Sequence, residues 1–319
     1  MPDPTRVLLW TDTPAPYVDA IAAAGLAGRV AVEVVGRTAT PSDAQLTAAE
    51  AMLAWGVRPG VLPRMEKLRW VQALTAGVEG WLALPDLPAG LTLTCARGTH
   101  REAMPENILG ALFHLTKPFC AIAEDQKRSH WQRRVATPLN GQTLTILGLG
   151  AIGREVARLA TAIGMRVTGT SRSAAPLPGL AEVVPPERTD EVLAQADFVL
   201  ALLPATPATE NFIDAQRLAA MKPSAWLLNF GRGALVVDAD LIAAVKERRI
   251  AGAVLDVFRQ EPLPPTHPFW TTAGILVLPH IGGMHPRRDA IVARLFVENL
   301  GRFLEGRPMQ EVVDRAAGY

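Results

Sequence analysis

Along the chain, short apolar runs alternate with segments whose apolar positions recur every three to four residues. RVLLW (6–10) reads as a strand, and YVDAIAAAG (17–25) as a helix stopped by Gly25. RVAVEVV (29–35) is β-rich. SDAQLTAAEAMLAWG (42–56) is helical in pattern, with Ser42 and Gln45 spaced for a capping box. GVLPRMEKLRWVQALTAG (60–77) predicts a helix entered near Pro63, a strand through WVQAL and a small turn at Thr75, Ala76 and Gly77. MPENILGALFHLTKPF (104–119) opens a longer helix reaching about Arg128, interrupted or kinked at Pro118. HWQRRVATPLNGQ (130–142) is polar and turn-rich, a connection before a new unit.

That unit begins with TLTILGLG (143–150), a buried strand feeding a glycine turn, and continues into the helix AIGREVARLATAIG (151–164) and the strand MRVTGTS (165–171). Strand and helix then alternate through DFVLALLP, AWLLNFGRG, AGAVLDVF and GILVLPHIGG. The pattern predicts an α/β protein with a doubly wound, mostly parallel sheet. A tail helix, RDAIVARLFVENLGRFLEG (288–306), follows.

Composition narrows the class. A chain of 319 residues with 49% hydrophobic content suggests two ordinary domains with substantial cores. Lys plus Arg number 32 against 31 Asp plus Glu, so charge supplies no reason to expect nucleic acid or an anionic membrane as partner. Cys95 and Cys120 are the only cysteines, which fits a reducing compartment. The opening MPDPTRVLLW lacks a basic region followed by an apolar run, so no secretory signal is expected. No stretch has the ~20 apolar residues that span a bilayer. A cytoplasmic protein is the expectation.

GLGAIG (148–153) matches G-x-G-x-x-G between a strand and a helix, the setting that gives this weak pattern its meaning. Gly148 allows the tight turn, Gly150 lets a pyrophosphate approach the backbone, and Gly153 lets helix and strand pack closely. The helix N-terminus offers free N–H groups to phosphate. Ser171 stands 23 residues after Gly148, where many such sites carry an acid for the ribose hydroxyls. Here Ser171, Arg172 and Ser173 leave no negative charge to repel a 2′-phosphate, and Arg172 can pair with one. NADPH or NADP is the expected cofactor, with NADH or NAD possible.

Three later residues carry the candidate chemistry. Arg232, flanked by glycines in NFGRGAL, can grip a carboxylate in two-point fashion. Glu261 follows the strand AVLDVF, and His280 ends an apolar strand before Gly282 and Gly283, which would clear space for nicotinamide. Reduction of a ketone needs a hydride at carbon and a proton at oxygen. His280 can supply the proton, Glu261 can orient the ring and favour its charged form, and Arg232 can anchor the substrate. No H-x-x-x-H or clustered Cys set suggests a metal.

GLGAIG, NFGRGALV, LDVFRQEPLP and LPHIGG together resemble the D-isomer-specific 2-hydroxyacid dehydrogenase family, most strongly over 141–288. The resemblance places the family's catalytic set on Arg232, Glu261 and His280. It places cofactor contacts on Gly148, Leu149, Gly150, Ala151, Ile152, Gly153, Ser171, Arg172, Ser173, Leu203, Pro204, Thr209, Phe230, Gly231, Arg232, Asp256, His280, Gly282 and Gly283. ALTAGVEGW (73–81) resembles the family's substrate turn, with Ala76, Gly77 and Val78, alongside Arg232 and His280, meeting substrate. It implies a smaller flavodoxin-like substrate domain over 1–101, a dinucleotide-binding domain over 102–288 and a segment 289–319 that returns to the first. A homodimer is implied as well. The serine-rich cofactor turn is most similar to NADPH-preferring glyoxylate and hydroxypyruvate reductases, implying reduction of small 2-ketoacids to 2-hydroxyacids. An NAD-linked dehydrogenase of a bulkier acid and a non-catalytic dinucleotide sensor or corepressor are the alternatives. MPENILG departs from the Ala-Glu pair that many members carry.

Overall fold

A computed structural model describes residues 3–318. Two compact units divide the chain: Met1–Thr99 with His285–Tyr319, and His100–Met284. The first contains β1 (Thr5–Trp10), β2 (Val30–Val35), β3 (Ala51–Ala54), β4 (Trp70–Ala73) and β5 (Thr92–Thr94), all parallel, in the order 2-1-3-4-5. This is the flavodoxin-like order. Alternate residues of each strand face opposite sides. Leu8, Met52, Val71 and Leu93 join one core, and Val7, Leu9, Leu53 and Trp70 the other. The second core is closed by the helices Ala15–Ala23 and Arg288–Leu304, where Phe296 stacks on Trp70 with ring centroids 5.5 Å apart.

The second unit carries β6 (Thr143–Leu147), β7 (Arg166–Thr170), β8 (Glu182–Val184), β9 (Phe198–Ala201), β10 (Trp226–Asn229), β11 (Gly252–Leu255) and β12 (Ile275–Val277). They form one parallel sheet ordered 12-11-10-9-6-7-8. Counted within the unit this is 3-2-1-4-5-6 with a seventh strand added, the doubly wound dinucleotide-binding order. Its strands are buried on both faces, so they read as continuous apolar runs. Leu227 and Val199 face one core, Leu228 and Leu200 the other.

Several expected elements come out differently. The helix over 42–56 is only Asp43–Ala48, with the Ser42–Gln45 capping box formed, and AMLA becomes β3. All four β3 residues are fully buried between neighbouring strands, so tertiary pairing outweighs the helical leaning of Ala and Met. The helix near Pro63 shrinks to one 3₁₀ turn, Leu62–Arg64. The helix reaching toward Arg128 is interrupted at Pro118, as expected, giving Ala103–Thr116 and Phe119–Lys127. Lys117 is extended between them, as the residue before a proline tends to be. Strands β5 and β8, three residues each, carry too little pattern to be read beforehand.

Candidate active site

In a doubly wound sheet, ligands bind beyond the carboxyl ends of the strands, where the strand order reverses. That point lies at β6, with β7 on one side and β9 on the other. The glycine turn leaves β6 there. Gly148 has φ +105°, and a Cβ on it would sit 3.0 Å from the Leu202 carbonyl oxygen. A Cβ on Gly153 would sit 2.3 Å from the Gly148 oxygen, so only glycine lets the helix Ala151–Ala162 start this close. Gly150 precedes that helix, and a Cβ there would meet nothing within 4 Å. The protein's own packing does not require this glycine, and the open side suits a phosphate approaching the backbone. Leu149 is buried, its carbonyl held by Arg154 Nε at 3.1 Å, and Ala151 and Ile152 form the half-buried first turn. These residues fit the pyrophosphate of a dinucleotide.

Ser171 directly follows β7 and donates its N–H to the Val184 carbonyl of β8. A tight turn returns the Ala174 N–H to the Ser171 carbonyl. The Ser171 and Ser173 hydroxyls lie 3.2 Å apart with the exposed Arg172 between them in sequence. Leu203 and Pro204 follow β9, and Thr209 Oγ1 donates to the Pro204 carbonyl at 2.5 Å, closing its loop.

Arg232, Glu261 and His280 follow β10, β11 and β12, three adjacent parallel strands, so all three stand at the same edge of the sheet. Their loops touch. Phe230 is buried, and a Cβ on Gly231 would lie 2.9 Å from the Leu203 oxygen. The Asn229 amide accepts from the Gly231 N–H and donates to the Arg232 carbonyl. A Cβ on Gly233 would lie 1.9 Å from the Phe258 carbonyl carbon, so the Arg232 loop lies directly against the Glu261 loop. Arg259 ties the same two loops, donating to the Ala234 and Val236 carbonyls and to Asn211. Glu261 Oε1 accepts the Phe258 N–H at 2.9 Å, and Oε2 lies 2.6 Å from His280 Nδ1. A carboxylate at that distance places the ring proton on Nδ1 and leaves Nε2 to exchange a proton. The His280 side chain is 51% exposed, open to a substrate.

His280 has φ +53°, uncommon for a residue with a side chain. The next residues are clamped to hold it. Asp256, with no exposed surface, accepts the N–H groups of Ile281 and Gly282, each at 2.8 Å. Burial pushes the Asp256 carboxyl above its ordinary range. Asn107 donates to the carbonyls of Ile281 and Gly282, and His100 Nδ1 to that of Gly283 at 2.9 Å. Each Asp256 oxygen thus accepts one backbone N–H of the loop that follows His280. The two glycines are also required by the packing: Cβ atoms would lie 2.6 Å from Asp256 and 2.9 Å from Phe230 at Gly282, and 2.9 Å from His100 at Gly283. Sequence reasoning missed Asn107, His100, Asn229 and Arg259. For Asn107 the only signal was the departure at MPENILG.

In the other unit, Thr75 to Val78 turn after β4, with Thr75 Oγ1 donating to the Gly77 carbonyl at 2.5 Å. Ala76 and Gly77 are half-buried and Val78 is buried, preceding the short helix Glu79–Leu82.

A phosphate-sized turn at the switch point, with an imidazole–carboxylate pair and an arginine on the same sheet edge, defines a class: dinucleotide-dependent oxidoreductases. Residues 109–282 match the family model "D-isomer specific 2-hydroxyacid dehydrogenase, NAD binding domain". The chain belongs to that family and is an NAD(P)-dependent oxidoreductase. It is 32% identical over 280 residues to glyoxylate/hydroxypyruvate reductase A of Serratia proteamaculans, covering 85% of this chain and 88% of that one. A D-isomer specific 2-hydroxyacid dehydrogenase family protein from Aeromonas salmonicida superposes with a TM-score of 0.88 at 32% identity, covering 98% and 100% of the two chains. An NADPH-dependent glyoxylate/hydroxypyruvate reductase from Sinorhizobium meliloti, solved with NADP and sulfate, superposes with a TM-score of 0.85 at 28% identity, covering 99% and 100%.

Proposed function

We propose that the protein reduces small 2-ketoacids, glyoxylate and hydroxypyruvate, to 2-hydroxyacids with NADPH. The 2.6 Å contact between Glu261 and His280 carries the reading, because it leaves one ring nitrogen facing out as an acid–base group. Gly148 to Gly153 would hold the pyrophosphate, with Leu203, Pro204, Thr209, Phe230 and Gly231 along the same edge. NADPH, when bound, supplies the hydride. Arg232 holds the substrate carboxylate and polarises the neighbouring carbonyl. His280 Nε2 gives its proton to the carbonyl oxygen, and Glu261 stabilises the charged ring before transfer. Asp256, Gly282 and Gly283 serve by fixing the His280 loop.

Ser171, Arg172 and Ser173 support NADPH over NADH, since the turn presents one cation and two hydroxyls where an acid would exclude the 2′-phosphate. The similar NADPH-dependent reductase from Sinorhizobium meliloti, solved with NADP, supports the same reading. By this reading His100–Met284 is the dinucleotide domain and the other unit the substrate domain. Pairing with a second copy is supported by Trp131 and Val135, 89% and 97% exposed beside helix Phe119–Lys127. The free thiols of Cys95 and Cys120 suit the cytoplasm.

Initial rates of NADPH and NADH oxidation with glyoxylate, hydroxypyruvate and pyruvate test the proposal. Fast turnover with NADPH and the small acids is expected. Turnover only with NADH would overturn the cofactor assignment, and turnover only with bulky 2-ketoacids the substrate assignment.

A further inference from the structure

One charged side chain joins the loops that follow β9, β10 and β11. Arg259 stands two residues before Glu261. Its Nε donates to the Val236 carbonyl at 3.0 Å, and Nη2 to the same carbonyl at 2.5 Å and to that of Ala234 at 3.2 Å. Nη2 also donates to the Asn211 side-chain oxygen. Ala234 and Val236 follow Arg232 by two and four residues, and the Leu235 and Val236 side chains are buried. Carbonyls in a buried turn need donors, and the planar guanidinium serves two of them from the neighbouring loop. Arg259 is itself held. Asp238 Oδ1 lies 3.7 Å from its Nε, and Asp238 Oδ2 lies 3.4 Å from His267 Nε2. The Phe269 N–H donates to His267 Nδ1 at 3.3 Å, so a ring proton sits on Nε2, toward Asp238. The His267 ring packs on Phe269 with centroids 4.5 Å apart. All of these residues belong to the His100–Met284 unit.

The two sides of Arg232 are therefore held differently. On one side Asn229, from the same loop, accepts the Gly231 N–H and donates to the Arg232 carbonyl. On the other side Arg259 reaches across from the Glu261 loop and grips Ala234 and Val236. Resting on the function proposed above, we infer that Arg259, oriented by Asp238 and His267, is a positioning residue that sets Arg232 at a fixed distance from the Glu261–His280 pair. In this role Arg259 touches neither substrate nor cofactor. It acts through Arg232, so that the carboxylate anchor and the proton donor address one ketoacid together.

R259A should lower kcat/KM for glyoxylate and hydroxypyruvate by about 10²-fold, the cost of a misplacement near 1 Å. KM for NADPH should stay within about twofold of native, since the glycine turn leaves a different strand, β6. A general loss of packing would disturb both constants, so the split between them reads the positioning role. R259K keeps the charge but not the planar fork and should lose about tenfold, the worth of one hydrogen bond to a charged group. The effect should vanish without the anchor: R232A with R259A should be no slower than R232A alone. D238N should show the same split at about threefold. Native kcat/KM for the ketoacids in folded R259A, or losses from R232A and R259A that simply add, would overturn the positioning of Arg232 by Arg259. Should R259A not fold, R259K alone and R259K with R232A decide by the same two criteria. An unchanged D238N would remove Asp238 from the arrangement. Native enzyme inactive on both acids would instead sink the proposed function on which the inference rests.

Discussion

Asp256→Asn changes one atom in the buried anchor beneath the His280 loop. Both native oxygens accept a backbone N–H at 2.8 Å, one from Ile281 and one from Gly282. Asparagine keeps one oxygen and sets an NH2 group against the other N–H. One hydrogen bond to a charged acceptor is lost, about 1.5–3 kcal/mol, and two donors face each other in a site with no water-exposed surface. A partial offset comes from the desolvation that holds the Asp256 carboxyl above its ordinary range, because a neutral amide does not suffer it. The net loss should be about 2 kcal/mol. For a domain of this size that lowers Tm by roughly 4–8 °C. Ile281 directly follows His280, whose backbone is already in the left-handed region. The same loosening should therefore cut kcat by about tenfold as the imidazole loses its fixed aim. Thermal melts and steady-state kinetics on one preparation read both effects. A variant with native Tm and native kcat would refute the anchoring role and leave the His280 backbone without its explanation.

Other tests bear on separate residues. His280→Gln should lower kcat by about 10²–10⁴, the usual contribution of a positioned acid–base group, with NADPH affinity near native; retained turnover would remove His280 from that role. Arg172→Ala should raise KM for NADPH by at least about tenfold and leave KM for NADH nearly as it was; equal changes would sink the 2′-phosphate assignment. Arg134, by hydrogen bonding, with Arg128, holds the Asp125 carboxyl below its ordinary range. The ionised form is thus favoured in the folded state, so its stabilisation is complete above the ordinary carboxylate range and disappears as pH falls through the depressed value. The Tm gap between native protein and Asp125→Asn should be flat near neutrality and close at low pH; a gap that widens on acidification would contradict the pairing.

Much of the candidate site was legible because its residues sit beside local signals. GLGAIG lies between an apolar strand and an amphipathic helix, and both constraints on Gly148 and Gly153 come from atoms within the same strand–turn–helix or its neighbour. Arg232, Glu261 and His280 each follow an apolar run that the sequence marks as a strand. Parallel strands in one sheet place their ends together, so strand-end position alone anticipates a shared edge. The Ser42–Gln45 capping box was legible for the same reason, since its partners are three residues apart.

The remainder depends on pairs far apart in the chain. AMLA is helical by composition and a strand by burial, because β1 and β4 flank it. Asp256, read as a cofactor contact, also accepts two N–H groups from the loop 25 residues later. The absence of a side chain at Gly282 and Gly283 also makes room for Asp256, Phe230 and His100, which the sequence did not signal. The stacking of Arg288 on Trp55 and its bond to Leu74 bring together three segments with no shared pattern. Local sequence determined which chemistry the chain carries and at which strand ends, since hydrophobic period and glycine freedom act over a few residues. Tertiary structure alone decided which polar groups hold those side chains in place, because a buried donor or acceptor must be satisfied by whatever the fold sets beside it.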